Sequence, residues 1–193
     1  MWQRTRSCES RSRPRAGRTG QRATVPGWYR STKNWDLIVA DKGTLVAALE
    51  LKGLGANSAG NNFNNRTEEA IGNATDLWLA HDRTACFGPI RPWAGFMFLM
   101  EDAPNTRIAV REQPSKWRID SEFEGSSYLK RGVILSSRML HERLYDAVCF
   151  VTSTNDPGVP PMEPVVELNW MSFVAAIQAR VQYVKNTQTA IAK

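Results

Sequence analysis

Cysteine and histidine are scarce in this chain, and long apolar runs are missing. The three cysteines, Cys8, Cys86 and Cys149, are odd in number and widely spaced. That argues against a disulfide framework, fits a reducing cytosol and sets the expectation of a cytoplasmic protein. No two of them stand at zinc-ligand spacing. With His81 and His141 as the only histidines, a His-based nuclease or a His-rich metal site is disfavoured. No run of about 18 apolar residues occurs, so no membrane span is expected. The N-terminus is arginine-rich, but no apolar segment follows, so it does not read as a signal peptide. There is no internal repeat.

Positive charge is present, but in one place. Of the net +6, all resides in residues 1–22, where Arg4, Arg6, Arg11, Arg13, Arg15, Arg18 and Arg22 face a single acid, Glu9. The rest keeps 18 of the 25 basic and 18 of the 19 acidic residues and is neutral. Global charge therefore says nothing about whether the folded part binds nucleic acid. Residues 1–24 are nearly free of large apolar side chains, which predicts a disordered tail. Such a tail reads as a DNA-binding arm, as a solvated run or as a mis-assigned start of translation. Residues 25–193 are enough for one domain with a real core.

Within that domain, residues 35–40 read as a strand, Asp41-Lys42-Gly43 as a three-residue hairpin loop, and residues 44–51 as a second strand. A Gly- and Asn-rich loop is expected over 53–65. A helix follows over 66–81, with Asn64 or Asn65 as N-cap and Glu68 and Glu69 in the first turn. Its inward face is expected to carry Ala70, Ile71, Ala74, Leu77, Trp78 and His81. Residues 93–100 form a continuous apolar run, the mark of a buried strand. A helix over 127–145 with Leu129, Val133, Leu140 and Leu144 on one stripe precedes a short strand over 147–151. The last helix is expected from about 165, with Val166, Trp170, Phe173, Ile177, Val181 and Val184 facing inward. Strands interleaved with helices predict an α/β domain whose mixed sheet is flanked by helices.

Two segments carry candidate chemistry. Side chains alternate along a strand, so Glu50 and Lys52 share one face while Leu49 and Leu51 share the other, apolar face, expected to pack on a helix. Asp36 lies on the adjoining strand, and the turn can bring it near Glu50. Two carboxylates and an ammonium on one face are costly to bury unless paired or bound to metal. Asp36 and Glu50 suit Mg²⁺ as oxygen ligands, and Lys52 suits orienting a water and offsetting phosphate charge. The spacing also fits a plain solvated ladder with a Glu50–Lys52 neighbour pair. The second segment is Gly60-Asn61-Asn62-Phe63-Asn64-Asn65-Arg66-Thr67-Glu68-Glu69-Ala70. Asn pairs bidentately with adenine and Arg with guanine, but the same cluster also suits turn and capping roles.

These stretches resemble the XhoI family of type II restriction endonucleases. The resemblance rests on Thr32-Lys33-Asn34-Trp35-Asp36-Leu37, on Glu50-Leu51-Lys52, on the 60–70 segment and on Asp76-Leu77-Trp78. It continues through Arg91-Pro92-Trp93, Leu99-Met100-Glu101-Asp102, Phe123-Glu124-Gly125-Ser126-Ser127-Tyr128 and Glu142-Arg143-Leu144-Tyr145-Asp146-Ala147. It covers about residues 25–151, in order. It implies the restriction-endonuclease-like PD-(D/E)xK core and Mg²⁺-dependent cutting of duplex DNA at the palindrome CTCGAG. It also implies a homodimer and a restriction–modification partnership with a cognate DNA methyltransferase. On this pattern Asp36 and Glu50 are the metal ligands, Lys52 is the catalytic lysine, and Asn61, Asn62, Asn64, Asn65 and Arg66 are the candidate DNA contacts.

The chain departs from that pattern twice. The family's longer helical N-terminal region is replaced by the arginine-rich stretch, the expectation being an N-terminally truncated copy. The Ser-Gln pair usual after the catalytic lysine is here Gly53-Leu54. A catalytically inactive remnant that at most binds DNA is therefore the main rival reading, and a nuclease of this core with another target, such as a repair enzyme, is a third.

Overall fold

The structure is a computed structural model that describes residues 23–191, so the tail expected over 1–24 falls almost wholly outside the described residues. Ten elements follow in order. They are β1 (Thr24–Pro26), β2 (Thr32–Asn34), β3 (Leu37–Asp41), β4 (Thr44–Leu54), α1 (Ala59–Thr84), β5 (Trp93–Glu101), α2 (Pro104–Arg107), α3 (Tyr128–His141), β6 (Ala147–Ser153) and α4 (Trp170–Ile191). β1 and β2 pair as a small antiparallel ribbon, and β3-β4-β5-β6 form the main sheet.

The connections dictate the sheet's mixed character. Only two residues separate β3 from β4, which allows nothing but an antiparallel pair. The α1 crossover makes β5 parallel to β4, and the α3 crossover makes β6 parallel to β5. Helices cover both faces. Ala48, Leu54, Phe96, Phe98, Met100, Val148 and Phe150 meet Ala70, Ala74 and Leu77 of α1 and Met139 of α3. The opposite face of Ala47, Leu49, Trp93, Cys149 and Val151 meets Phe173 of α4. Arg180 pins α4 there, its Nε donating to the Val46 carbonyl at 2.9 Å and an Nη to that of Arg91 at 2.7 Å. Among the described residues no helix is long and apolar enough to cross a membrane.

Several expected boundaries move. Asp41 pairs with Thr44, so the hairpin loop is the two-residue Lys42–Gly43 rather than three residues. Both have positive φ, 47° and 82°, the mirror-image turn whose twist matches that of the strands. β3 starts at Leu37 because the Trp35 backbone N–H donates instead to Ala23 at 2.8 Å, which seats the indole in the core. The expected 53–65 loop is mostly ordered. β4 runs on to Leu54 and α1 begins at Ala59, with Ser58 rather than Asn64 or Asn65 as N-cap. Local asparagine preferences lose here to burial. Phe63 inserts between Phe98 and Tyr128, at ring separations of 6.4 and 5.9 Å, and draws the first turns of the helix onto the core. Glu68 and Glu69 are consequently mid-helix, and Ile71 is exposed rather than inward.

Elsewhere Leu49 packs as expected while Leu51, on the same face, is exposed beyond the reach of α4. α3 ends at His141, where Arg143 turns left-handed (φ 55°), and Tyr145 lies fully buried in the turn into β6. Its stripe of Leu129, Val133, Leu140 and Leu144 is partly buried against the core, whereas Gly132, Ile134, Ser136 and Met139 are the fully buried positions. α4 begins at Trp170. Leu168, in the 3₁₀ turn Val166–Leu168, takes the inward place, leaving Val166 84% and Trp170 47% exposed. Phe173 and Val184 are buried as expected.

This packing makes α4 testable by denaturant unfolding. Phe173→Ala should lower stability by about 3–5 kcal/mol through the cavity it leaves. Val166→Ala, nominally on the same apolar pattern, should change it by less than about 0.5 kcal/mol.

Candidate functional site

Alternation along β4 turns Ala48, Glu50, Lys52 and Leu54 toward α1. Glu50 ends up fully buried, on a central strand. A bare carboxylate there is untenable, and three donors surround it. The Lys52 ammonium lies 2.5 Å from Oε1, the Lys33 ammonium of β2 lies 3.1 Å from Oε2, and the Asn73 amide of α1 donates to Oε1 at 3.0 Å. Lys52 also reaches Glu69 at 3.2 Å, and Glu69 in turn holds Arg66 at 2.9 Å. Burial acts to lower the Lys52 pKa, but Glu50 and Glu69 outweigh it, so the ammonium form is favoured beyond its usual range. Burial likewise acts to raise Glu69, and its bonds to Arg66 and Lys52 pull it net downward.

Asp36 lies just before β3. The register Leu37–Leu49 and Ile38–Ala48 brings it to the end of the ladder, next to the β4 backbone at Leu51. It is exposed, and its Oδ2 accepts the Leu51 backbone N–H at 2.7 Å. Glu50 and Lys52 are thus in direct contact, and Asp36 is held by the β4 backbone at Leu51. No cluster of three or more acidic, His or Cys side chains exists among the described residues. Mg²⁺ does not require one, since it is usually held by one or two carboxylates together with water and phosphate. Asp36, exposed, and Glu50, buried, are both hard oxygen donors of the kind a divalent cation takes.

Lys33 and Asn73, the other neighbours of Glu50, are not anticipated from the sequence. Arg66, Glu69, Asn73 and Asp76 fall at helical spacing and form a polar stripe on α1. Asn73 and Asp76 are buried, among Ala70, Ala74 and Leu77. Arg30 ties the stripe to the chain before β2, its Nη2 donating to Asn73 Oδ1 at 2.8 Å and its Nε to Asp76 Oδ2 at 2.7 Å. Asp76 Oδ1 accepts the backbone N–H groups of Trp28 and Tyr29, both at 2.7 Å. Gly27 makes this wrap possible, because a Cβ there would lie 2.2 Å from Asp76 Oδ2. Burial pushes Asp76 upward, but the Arg30 guanidinium and the two backbone donors hold it below the ordinary aspartate value. The one signal in the sequence was polar residues interrupting an apolar helix face.

The asparagine cluster occupies the first two turns of α1. Asn61, Asn64 and Asn65 are exposed, while Asn62 and Arg66 are half-buried. Arg66 Nε is shielded from solvent and has no hydrogen-bond partner among the described residues.

The mixed four-stranded sheet flanked by helices is a restriction-endonuclease-like arrangement. The chain belongs to the restriction endonuclease XhoI family, whose model it matches over residues 15–159. It is 34% identical to type II restriction enzyme BstVI of Geobacillus stearothermophilus over 170 residues, 84% of this chain and 76% of that enzyme. It is 43% identical to type II restriction enzyme XhoI of Xanthomonas vasicola over 117 residues, 61% of this chain but 47% of the relative. With type II restriction enzyme AbrI of Azospirillum brasilense it shares 56% over 84 residues, 43% of this chain and 37% of the relative. No solved structure matches.

Replacing Asp76 by Asn should lower stability at neutral pH by about 2–3 kcal/mol, since it leaves Arg30 without its charged partner. A carboxylate with a depressed native pKa stabilises the fold above its unfolded value, and that contribution is lost as pH falls through the native value. The gap between wild type and Asp76→Asn, followed by denaturant titration, should therefore be full at pH 7 and close in strong acid.

Proposed function

We propose that this chain is a type II site-specific deoxyribonuclease that hydrolyses duplex DNA with Mg²⁺ bound at Asp36 and Glu50. The observation that carries the reading is the fully buried Glu50 gripped by Lys52 at 2.5 Å, with Asp36 tied to the next residue along β4, Leu51. Bound there, Mg²⁺ would stabilise charge on the transition state and acidify the attacking water. Asp36 presents a carboxylate steadied at Oδ2 by the Leu51 N–H. Glu50, fixed in the sheet, supplies the rigid half of the cation site. Lys52, held as an ammonium, offsets the charge of the scissile phosphate and orients water beside it.

The target we assign is CTCGAG, read by a homodimer whose two-fold axis matches that of the palindrome. The working context is a cytoplasmic restriction–modification system with a cognate DNA methyltransferase. Recognition falls to the first turns of α1. Asn61, Asn62, Asn64 and Asn65 make no side-chain hydrogen bond among the described residues, which leaves their amides available to bases in the major groove. Arg66, with its unpartnered Nε, suits a guanine or a phosphate.

Incubating the protein with plasmid DNA and Mg²⁺ should give discrete fragments ending at CTCGAG. Lys52→Ala should cut at least about 10²-fold more slowly. Binding without cutting would favour the inactive remnant, and scattered ends would exclude a site-specific enzyme. Asn62→Ala or Arg66→Ala should each lose about 1–3 kcal/mol of discrimination between the cognate site and single-base variants. An unchanged preference would remove that residue from the reading set.

A further inference from the structure

We propose that Asn73 is a positioning residue that locks Glu50 Oε1, so that Oε2 is the oxygen offered to the divalent cation, and that Arg30 and Asp76 hold Asn73 in the required orientation. The inference rests on the metal-nuclease reading above and extends it to residues that touch neither metal nor substrate.

The direction of every hydrogen bond in the chain is forced. A guanidinium can only donate, so Arg30 Nη2 fixes the Asn73 carbonyl oxygen at its own end, 2.8 Å away. The Asn73 amide nitrogen must then face Glu50, to which it donates at 3.0 Å. Arg30 is itself oriented through Nε by Asp76. Asp76 is held on its other oxygen by the Trp28 and Tyr29 N–H groups. A flipped amide would place its NH₂ against the guanidinium and its oxygen against the buried carboxylate, two repulsive contacts.

The three donors to Glu50 are not equivalent. Lys33 and Lys52 are cations with side chains 19% and 16% exposed, and both can turn toward a phosphate. Asn73 is neutral, only 4% exposed and committed at both ends of its amide. It stays on Oε1 whatever enters. Oε2 is held by Lys33 alone, at 3.1 Å, and Lys33 comes from the peripheral β1–β2 ribbon. Turning Lys33 aside exposes one lone-pair face of a carboxylate that cannot rotate away.

The test compares the wild type with Asn73→Ala, Asn73→Asp and Arg30→Lys. Asn73→Asp keeps the volume and the bond to Arg30 but replaces the donor by an acceptor. Arg30→Lys removes the fork that holds Asn73 while keeping a charge beside Asp76. Each protein is assayed for Ca²⁺ affinity by calorimetry with CTCGAG duplex bound, for duplex affinity in EDTA, for single-turnover cutting in Mg²⁺, and for thermal unfolding. Loss of a group that orients a ligand typically costs about 10- to 100-fold in metal affinity or activity. The expected result is a loss in that range, in both Ca²⁺ affinity and cutting, for Asn73→Ala and Asn73→Asp. Arg30→Lys should show a smaller loss in the same direction. Duplex affinity in EDTA should hold within about twofold in all three. Variants that remain folded and match the wild type in Ca²⁺ affinity and rate would overturn the role of Asn73 while leaving the nuclease reading intact. Losses that track the fall in melting temperature and affect duplex affinity equally would mark Asn73 as purely structural and also overturn it. A wild type that neither binds Ca²⁺ nor cuts would bring down the nuclease reading, and this inference with it.

Discussion

The carboxylate of Glu50, without solvent exposure on a central strand, is the constraint around which the rest is arranged. A charge in that position is tolerable only if donors surround it closely. They arrive from three separate parts of the chain: Lys52 from the same strand, Asn73 from the helix packed above it, and Lys33 from the ribbon at the edge. The mixed topology makes this possible. β4 is flanked by β3 on one side and β5 on the other, so Glu50 has no strand edge past which to reach solvent. Whatever neutralises Glu50 must come from above the sheet.

That requirement explains the unusual polarity of α1. The helix packs Ala70, Ala74, Leu77 and Ala80 on the sheet as any amphipathic helix would, yet interposes Asn73 and Asp76 among them. Each of these polar groups has its partners, one at Glu50 and Arg30, the other at Arg30 and two backbone amides. The outer face of the sheet has no comparable burden. There α4 buries Phe173 against Trp93 and Leu49, and Leu51 at the far end is left in solvent.

What could be read from the sequence follows the range of the interaction. Glu50 and Lys52 are two residues apart, so strand periodicity alone put them on one face. Asp36 was within reach because it immediately precedes β3, and only a two-residue turn separates β3 from β4. The apolar run at 93–100 and the final helix's Phe173 and Val184 were legible for the same local reason. The start of α1 was not, because the asparagines of the 61–65 segment favour turns locally, whereas Phe63 is captured by Phe98 and Tyr128 far along the chain. Lys33, Asn73 and Arg30 were missed on the same grounds. Lys33 and Glu50 are 17 residues apart, Asn73 and Glu50 are 23, and Arg30 and Asn73 are 43, and no periodic pattern spans such distances. Val166 and Trp170 failed in the opposite way: their helical spacing was real, but Leu168 in the preceding turn reached the core first.

Gly27 and the residues that follow it wrap one buried carboxylate so tightly that there is no room for a methyl group. The amides of Trp28 and Tyr29 are therefore latched, and their exchange with solvent deuterium times the opening of that latch. Arg30 and Lys33 lie within six residues of Gly27, so an opening that frees those amides also withdraws support from Asn73 and a counter-charge from Glu50. The slowest-exchanging protons in this stretch thus act as a clock for how long the carboxylate stays set for its task.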